Sequence, residues 1–548
     1  MHASAEDGAT ATAPPHHDDP HRPPHGARPD AARPDDPAVA TRRPTSDGAT
    51  PTTGATPRAD GPPPTTAAPT PGSVAEHRPD GAGAAASDVR CDVLVIGGGI
   101  IGLVTAWRVA QRGLRTVLAD PAPGGGAAQV AAGMLAAVTE THFGEETLLG
   151  LNLASARRYP GFAAELTEAS GQPTGYRACG TLAVALDSDD RAQLRDLHAL
   201  QQRCGLDARW LTGRECRRLE PLLAPGVRGG VWVEGDHQID PRLLAAALLT
   251  ACRRAGVSFR HSWARRLTLA GAGETREAAE HADGRRATGA VLADGARVAA
   301  GQVVLAGGSL SGRLAGLPAD VVPPVRPVKG QLLRLRVPAP LAAAGPFLSR
   351  TVRAVVRGGQ IYLVPRANGE LIVGATTEEL GWDTTVTAGG LYELLRDAHE
   401  VLPGVTELEL VETLAGLRPG SPDNAPVLGP SRLPGLVLAT GHHRNGVLLT
   451  PVTGDVLADV LTTGELPPHA RPFTPLRFSP APAPAPATAP ARATANGART
   501  PPPYDTSRPY DTSPPYDTSP VAPAGPAPAP APDRPAPATR PTDAPQEP

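Results

Sequence analysis

Three glycines and one carboxylate have the types and spacing of a nucleotide-binding turn. Gly97, Gly99 and Gly102 form G-x-G-x-x-G directly after the apolar run at residues 91–96, and Asp120 lies 23 residues after Gly97. Glycine permits a tight turn at the first position, close approach of a pyrophosphate at the second and close helix packing at the third. A carboxylate at this distance can accept hydrogen bonds from ribose hydroxyls. The pattern predicts an adenine dinucleotide site without deciding between FAD and NAD.

The elements that position these residues follow the order of a βαβ unit. Residues 91–96 are rich in β-branched side chains, as in a buried parallel strand, and residues 103–112 have a helical pattern that ends at Gly113. Residues 116–119 are predicted to form a second strand. N–H groups at the start of the helix would face the phosphates. G-x-G-x-x-G alone is common, whereas strand, glycines, helix, strand and acid in this order are specific.

A stretch of small residues follows at residues 124–134, which read GGGAAQVAAGM. Small side chains there would let a flat ring system lie against the backbone. A tightly packed loop and helix start would have the same composition, so the stretch by itself leaves both interpretations open.

Composition argues against several other classes of protein. The chain has 52 Lys and Arg against 55 Asp and Glu, so it lacks a basic footprint and nucleic acid is not an expected partner. Its five cysteines are odd in number and form no C-x-x-C, which fits a reducing compartment without a disulfide framework or metal site. No apolar run reaches the roughly 18 residues of a membrane span, and the N-terminus lacks a leader pattern. We therefore expect a cytoplasmic protein with no membrane partner.

The 60 glycines and 65 prolines of the 548-residue chain point to its organisation, because the prolines crowd both ends. Residues 1–89 and 479–548 have few large apolar side chains and are predicted to be disordered tails. Between them strand-like and helix-like runs alternate, which indicates an α/β protein. Residues 271–285 are predicted to form a polar loop between two strands.

Several segments beyond the dinucleotide unit resemble a known enzyme family. They are residues 132–135 (AGML), 327–331 (PVKGQ), 362–366 (YLVPR), 374–376 (GAT), 415–420 (AGLRPG) and 441–446 (GHHRNG). Together they are similar to the FAD-dependent amino acid oxidases of the D-amino-acid oxidase and sarcosine oxidase group, and among these to the glycine oxidases of the thiamine thiazole pathway. The resemblance runs from about residue 91 to residue 478 and covers neither tail.

The resemblance implies an α/β fold with a Rossmann-type FAD-binding domain, a second antiparallel-sheet substrate domain and two disordered flanking tails. The FAD-binding domain would be discontinuous and formed by residues 90–170, 236–320 and 410–478. The substrate domain would be formed by residues 171–235 and 321–409.

The resemblance also implies the site residues. Arg418 and Arg444 fall where the family clamps the substrate carboxylate, which suits the planar fork of arginine, and Tyr362 falls where a hydroxyl is added. Most arginines are solvated surface groups, but the Pro-Gly and Asn-Gly pairs that follow these two predict loop positions, where functional groups concentrate. The positions that fall where the family contacts FAD are Gly97, Gly99, Ile100, Ile101, Gly102, Asp120, Ala127, Ala128, Ala132, Gly133, Met134, Ala264, His442, His443, Arg444, Asn445, Gly446, Val447 and Leu448.

The implied activity is oxidative deamination of glycine by oxygen, giving the imine for the thiazole of thiamine, and hydrogen peroxide. FAD would be non-covalent, since no cysteine follows Cys252. An oxidase or dehydrogenase for sarcosine or small D-amino acids is the alternative, because a methylene changes binding by only about 1–3 kcal/mol. A flavin-binding protein without turnover is a third reading. Glycine and oxygen are the expected substrates, a homo-oligomer is expected, and a thiazole synthase is a candidate recipient of the imine.

Three further side chains have two interpretations each. His442 and His443 could act as a base or tether a flavin, but shaping the loop over the flavin is favoured. Lys329 could assist oxygen activation, but pairing with an acid on the sheet is favoured. Leu310 and Thr377 stand where the family often has Trp and Met, so the pocket is expected to differ in shape.

Overall fold

A computed structural model of the chain describes residues 88–271 and 285–478. The predicted disordered tails therefore lie outside the described residues, except for positions 88 and 89, and so does the predicted polar loop, except for its two end residues. The described residues form two eight-stranded sheets and a two-stranded ribbon.

The described strands, in chain order, are β1 Val89–Ile96, β2 Thr116–Ala119, β3 Met134–Leu135, β4 Thr181–Ala185, β5 Arg209–Thr212, β6 Gly229–Val233, β7 His237–Gln238, β8 Ser258–Arg260, β9 Ala264–Ala270, β10 Arg286–Leu292, β11 Arg297–Leu305, β12 Arg326–Arg336, β13 Thr351–Val356, β14 Gly359–Pro365, β15 Glu370–Gly374, β16 Glu409–Gly420, β17 Val427–Pro430 and β18 Leu436–Thr440. The described α-helices are α1 Ile100–Gln111, α2 Glu146–Ser170, α3 Ser188–Arg203, α4 Gly213–Leu219, α5 Pro241–Arg254, α6 Ala339–Ala342, α7 Ala388–Val401 and α8 Thr450–Thr463.

The first sheet has the strand order β17-β18-β11-β1-β2-β8, and its five strands from β18 to β8 run parallel. Helices α1, α2, α5 and α8 bury one of its faces in a large apolar core. The antiparallel pair β9–β10 extends from β11 and helps to cover the other face. The predicted βαβ unit is β1-α1-β2. Its helix begins at Ile100 rather than at residue 103, because Gly99 already serves as the N-cap.

The second sheet has the order β16-β12-β15-β14-β13-β4-β6-β5. Its neighbouring strands are antiparallel, apart from the parallel pair of β13 and β4. Apolar side chains of α4 and α7 cover one face, where Leu394, Ala398 and Val401 join the strand residues. Successive strand residues point to opposite faces, and on the other face Leu332, Val364 and Ile372 pack on Ala132.

Strand β16 corrects one predicted boundary. Residues 410–478 were assigned as a whole to the FAD-binding domain, yet Glu409–Gly420 pairs with β12 along its entire length in the second sheet. The cause is the long antiparallel register from Arg326–Gly420 to Arg336–Glu409, which a contiguous reading of the sequence does not reveal. The rest of the domain division stays a prediction. No helix in residues 88–271 or 285–478 has the length and apolar character to cross a membrane.

Candidate active site

The glycine turn between β1 and α1 is built so closely that two of its positions exclude any side chain. Gly97 has φ +106°, and a Cβ there would lie 2.4 Å from the carbonyl oxygen of Ala306. A Cβ on Gly102 would lie 1.9 Å from the carbonyl oxygen of Gly97. At Gly99, in contrast, no atom lies within 4 Å of such a Cβ, and α1 has no side-chain N-cap. The N–H groups of the first helical turn, including those of Ile100 and Ile101, therefore face open space suited to phosphates.

Asp120 lies beside this turn, at the end of β2. Its carboxylate accepts hydrogen bonds from the backbone N–H groups of Gly98 and Ala122, both at 2.7 Å. A carboxylate has about four acceptor sites, so two remain for ribose hydroxyls. The backbone N–H of Asp120 donates to the carbonyl of Arg260 at 3.0 Å, which brings the end of β8 and the following Ala264 to the same edge of the sheet.

The small-residue stretch lies between the two sheets. Ala127 is exposed and Ala128 buried in a short 3₁₀ turn at Gly126–Val130, and Ala132 packs on apolar side chains of the second sheet. Gly133 has φ +72°, and a Cβ there would lie 2.0 Å from the carbonyl oxygen of Ile239. Met134 follows in the ribbon β3–β7. The stretch thus has no large side chains apart from Met134, so a flat ring could lie close to its backbone.

Two arginines that the sequence reasoning missed hold this stretch against the second sheet. Arg366, just after β14, is almost fully buried and donates to the carbonyl oxygens of Ala132 and Ile239, the latter at 3.0 Å. Burial lowers the pKa of its guanidinium to about 10. Arg242 donates to the carbonyl oxygen of Gln129 at 3.2 Å while it pairs with Glu412 on β16. Arg366 belongs to the YLVPR motif, and that motif was the only sequence signal for its role.

The loop from His442 to Leu448 joins β18 to α8. His442 is 3% exposed and its Nε2 lies 3.1 Å from the Thr453 hydroxyl; burial lowers its pKa to about 3. His443 lies in a 3₁₀ turn with φ +46°, and burial, reinforced by nearby arginines, lowers its pKa to about 4. Both imidazoles are therefore neutral near pH 7, so they are weak proton acceptors, which suits a loop-shaping role.

Side chains of helix α2 form hydrogen bonds with the rest of that loop. The Ser155 hydroxyl donates to the carbonyl oxygen of Leu448 at 2.6 Å, and the Tyr159 hydroxyl donates to that of Val447. The Thr450 hydroxyl donates a hydrogen bond to the carbonyl oxygen of Gly446 at 3.0 Å. The loop's backbone is therefore fixed independently of any ligand.

Buried polar atoms that lack a hydrogen-bond partner show whether this region fits FAD. Buried polar atoms in proteins nearly always have a hydrogen-bond partner. Within the described residues, five buried atoms of this region have none: Arg260 Nε, Ser309 Oγ, His443 Nδ1, Arg444 Nε and Asn445 Nδ2. They extend from the end of β8 near Asp120 to the loop after β18. Unpartnered polar groups spread over these segments fit a long polar ligand such as FAD.

Two of the three residues predicted to bind the substrate carboxylate, Arg418 and Tyr362, meet on the second sheet. The side chain of Arg418 in β16 lies over Gly330 of β12, where a Cβ would lie 2.4 Å from its Nη2. The side chain of Tyr362 in β14 likewise lies over Gly374 of β15, where a Cβ would lie 2.5 Å from its hydroxyl oxygen. Burial raises the pKa of Tyr362, and the adjacent Arg418 guanidinium offsets part of the rise. No carboxylate in residues 88–271 or 285–478 forms an ion pair with Arg418. Its Nη1 instead donates to the carbonyl oxygens of Lys329 and Thr376, at 3.3 and 3.2 Å.

The structure corrects the predicted loop position of Arg418, which lies within strand β16. The Pro-Gly pair after Arg418 suggested a loop, but both of its residues belong to this strand, as does Gly416. A Cβ at Gly416 would lie 2.2 Å from Cγ2 of Val130, so this glycine marks a close approach to the small-residue stretch rather than a chain reversal. Arg444 does lie in a turn, at His443–Asn445.

Three charged side chains around this pair were missed. Arg444 makes a two-point ion pair with Glu145, and Arg353, which is opposite Tyr362 in the register, pairs with Glu140. Burial alone would raise the pKa of Glu140, but the charges of Arg353 and Arg444 lower it below its usual value. Glu140, Glu145 and Arg353 lie in no recognised motif, so the sequence held no signal for them. Their pairing leaves Arg418 as the cation of this group without an acidic partner among the described residues.

Comparisons with known proteins agree with this geometry. Residues 92–460 match the family described as FAD dependent oxidoreductase. The chain is 35% identical to the bifunctional protein ThiO/ThiG of a Synechocystis species, over 71% of this chain and 54% of that one. It is 33% identical to the glycine oxidase of Geobacillus kaustophilus, over 70% and 96%. It thus spans about half the length of the bifunctional relatives and nearly all of the glycine oxidase.

Solved structures show the same relationship. The crystal structure of the Geobacillus kaustophilus glycine oxidase superposes with a TM-score of 0.62 at 32% identity, covering 70% of this chain and 98% of that one. An iminodiacetate oxidase from a Chelativorans species superposes with a TM-score of 0.60 at 26% identity, covering 70% and 98%. The predicted α/β flavoenzyme fold and FAD cofactor are therefore confirmed. This chain belongs to the family of FAD dependent oxidoreductases.

Proposed function

We propose that the chain oxidises glycine to its imine with oxygen, releasing hydrogen peroxide, and that the imine supplies the thiazole of thiamine. The observation that supports this most is the state of Arg418, a guanidinium without an acidic partner in the described part of the chain, beside the Tyr362 hydroxyl. The similarity to glycine oxidases and to ThiO/ThiG proteins supports the substrate and the pathway.

The charges around Arg418 favour a substrate with one carboxylate. Arg353 and Arg444 are already neutralised by Glu140 and Glu145, so Arg418 carries the uncompensated positive charge. A carboxylate would accept two parallel hydrogen bonds from its guanidinium and a third from the Tyr362 hydroxyl. This arrangement orients the substrate so that its α-carbon projects from the second sheet toward the small-residue stretch.

FAD, when bound, supplies the two-electron acceptor for the α-carbon hydride and passes the electrons to oxygen. The protein contributes orientation, with no general base required if the amine is neutral when it reacts. The neutral state of His442 and His443 is consistent with this, since neither adds a charge beside the reacting carbon. Non-covalent attachment of FAD is part of the proposal, and acid denaturation should release all of the flavin.

The test is to mix the yellow protein with glycine without oxygen and follow the oxidised flavin band. We expect rapid bleaching that air reverses, with release of peroxide. Bleaching by sarcosine or D-alanine but not by glycine would move the assignment to a neighbouring amine oxidase. A flavin that no amine bleaches would support a binding protein without turnover.

We also propose that the enzyme is a homo-oligomer and passes its imine to a thiazole synthase. The support for the second point is that ThiO/ThiG relatives are about twice as long as the segment matched here. Light scattering of the purified protein would report the first. The second would be tested by comparing thiazole formation from glycine in two samples, one in which the synthase forms a complex with this enzyme and one in which it does not. Direct transfer of the imine should make the complex faster.

A further inference from the structure

Lys329 is a fully buried lysine on the face of the second sheet opposite to Arg418. Its side chain is 0% exposed, and its ammonium lies 2.7 Å from Asp383 Oδ2 and 3.2 Å from Glu378 Oε2. In the β12–β16 ladder Lys329 pairs with Leu417, whereas Arg418 pairs with Val328. Because neighbouring residues of a strand point to opposite faces, the ammonium points away from the side where Arg418 and Tyr362 meet. Direct contact with the reacting atoms is therefore not its role.

The backbone of Lys329 is nevertheless joined to Arg418. The Nη1 group of Arg418 donates to the carbonyl oxygens of Lys329 and Thr376. These two carbonyls belong to strand β12 and to the segment after β15, and two hydrogen bonds between Lys329 and Glu378, of 2.9 and 3.0 Å, hold that segment on β12. The orientation of the guanidinium thus depends on where residues 376–378 lie.

The Glu378 carboxylate connects the side chains that fix this segment. It accepts hydrogen bonds from the Thr376 hydroxyl and, at 2.8 Å, from the Gln331 amide, and it pairs with Lys329. The Thr376 hydroxyl in turn accepts from the Gln331 backbone N–H at 2.8 Å. Without the ammonium, Glu378 and Asp383 would be two neighbouring carboxylates with no counter-ion between them, and like charges repel. Residues 376–383 would then shift from β12.

We propose that Lys329, together with Glu378 and Asp383, positions Arg418 for the substrate carboxylate. The ion-pair network fixes two backbone carbonyls, and these orient the guanidinium without neutralising it, as an acidic partner would. Lys329 is on this view a positioning residue and takes no part in oxygen activation. The inference rests on the proposed function for the identity of the substrate.

The test compares Lys329→Met with the wild type in three measurements on the FAD-loaded protein. They are the glycine concentration for half-maximal anaerobic flavin reduction, the dissociation constant of acetate from its perturbation of the flavin band, and the rate constant of the reduced flavin with oxygen. We expect the first two to rise roughly tenfold, the size of one orienting hydrogen bond to a charged group, and the third to stay unchanged.

A matched control is Arg350→Met, which removes the cation beside the nearly buried Glu220 elsewhere in the described part of the chain. It should lower thermal stability while leaving all three constants unchanged. Asp383→Ala is a second variant that is safe for folding, since that side chain is 39% exposed, and it should raise the glycine and acetate constants in the same direction by less.

The outcomes separate the alternatives. A slower oxygen reaction with unchanged glycine and acetate constants would overturn the proposal in favour of oxygen activation. Loss of stability alone, in both Lys329→Met and Asp383→Ala, would reduce the network to packing and overturn it too. If glycine fails to bleach the wild type, the proposed function fails, but the acetate titration still tests whether Lys329 positions Arg418.

Discussion

The cofactor side and the substrate side of the site differ in which parts of the residues form them. The cofactor side is formed by backbone: Gly97, Gly102 and Gly133 are positions where a Cβ would strike a carbonyl oxygen at 2.4 Å or less. The substrate side is formed by charged and polar side chains, such as Arg418 and Tyr362, that project from separate strands of one sheet. Backbone close-packing leaves no alternative residue at a position, whereas side-chain placement depends on how strands far apart in sequence align.

The largest expected effect is on the cofactor side. Gly102→Ala should abolish FAD binding, because its Cβ would lie 1.9 Å from the Gly97 carbonyl oxygen and force the turn apart. The control is Gly150→Ala in α2, where no atom lies within 4 Å of the added Cβ. Flavin absorbance per protein after purification measures the effect. A Gly102→Ala protein that is as yellow as the control would contradict the assignment of the turn.

The next effect is on the substrate side and should leave FAD in place. Arg418→Ala should raise the KM for glycine by roughly a hundredfold or more, the size of two lost charge-assisted hydrogen bonds. Gly330→Ala should act in the same direction, because its Cβ would lie 2.4 Å from the guanidinium. Arg336→Ala, on the same β12 but half exposed, serves as the control for steady-state kinetics. An unchanged KM in Arg418→Ala would remove this arginine from the site.

A smaller effect should distinguish the two predicted carboxylate ligands. Arg444 already has Glu145 as a partner, so the double variant Arg444→Met/Glu145→Gln removes a neutral pair rather than a free charge. We expect its KM for glycine to rise by only about tenfold, the size of one weakened contact. A rise that matches or exceeds that of Arg418→Ala would show that the ion pair opens to hold the substrate.

The smallest effect concerns stability and the loop after β18. The pKa of His442 is about 3 in the folded protein, below its value of 6.5 when unfolded, so the unfolded state takes up the proton first. Its contribution to stability is complete above pH 6.5 and is lost as the pH falls toward 3. Between pH 6.5 and 5 the wild type should lose about 2 kcal/mol of unfolding free energy through this group.

Urea unfolding of the wild type and of His442→Gln at pH 7 and pH 5 measures this loss. The variant should be less stable at pH 7 yet show a smaller decrease on acidification. The remaining decrease is assigned to the other groups whose pKa is lowered in the same direction, which include His237, His443 and His469. Equal decreases in both proteins would mean that His442 is not titrated by unfolding.

This difference between backbone packing and side-chain placement also explains which parts of the molecule the sequence could predict. The βαβ unit is contiguous, and the predicted strand at residues 116–119 has the observed bounds. Arg418 was placed in a loop because the Pro-Gly pair that follows it resembles a turn. The contact that fixes its strand beside the small-residue stretch, between Gly416 and Val130, joins positions nearly three hundred residues apart. Arg353 and Glu140 could not be found for the same reason, since only the fold brings them together.

The glycines beneath Arg418 and Tyr362 carry a cost in stability. Gly330, Gly374 and Gly416 lie in the interior or at the end of strands of one sheet, where each glycine is less stable than alanine by roughly 0.5–1 kcal/mol. None can be replaced without striking Arg418, Tyr362 or Val130. Close packing of the site therefore retains the backbone cost of these three glycines, and a stabilised descendant of this enzyme would have to gain its stability elsewhere.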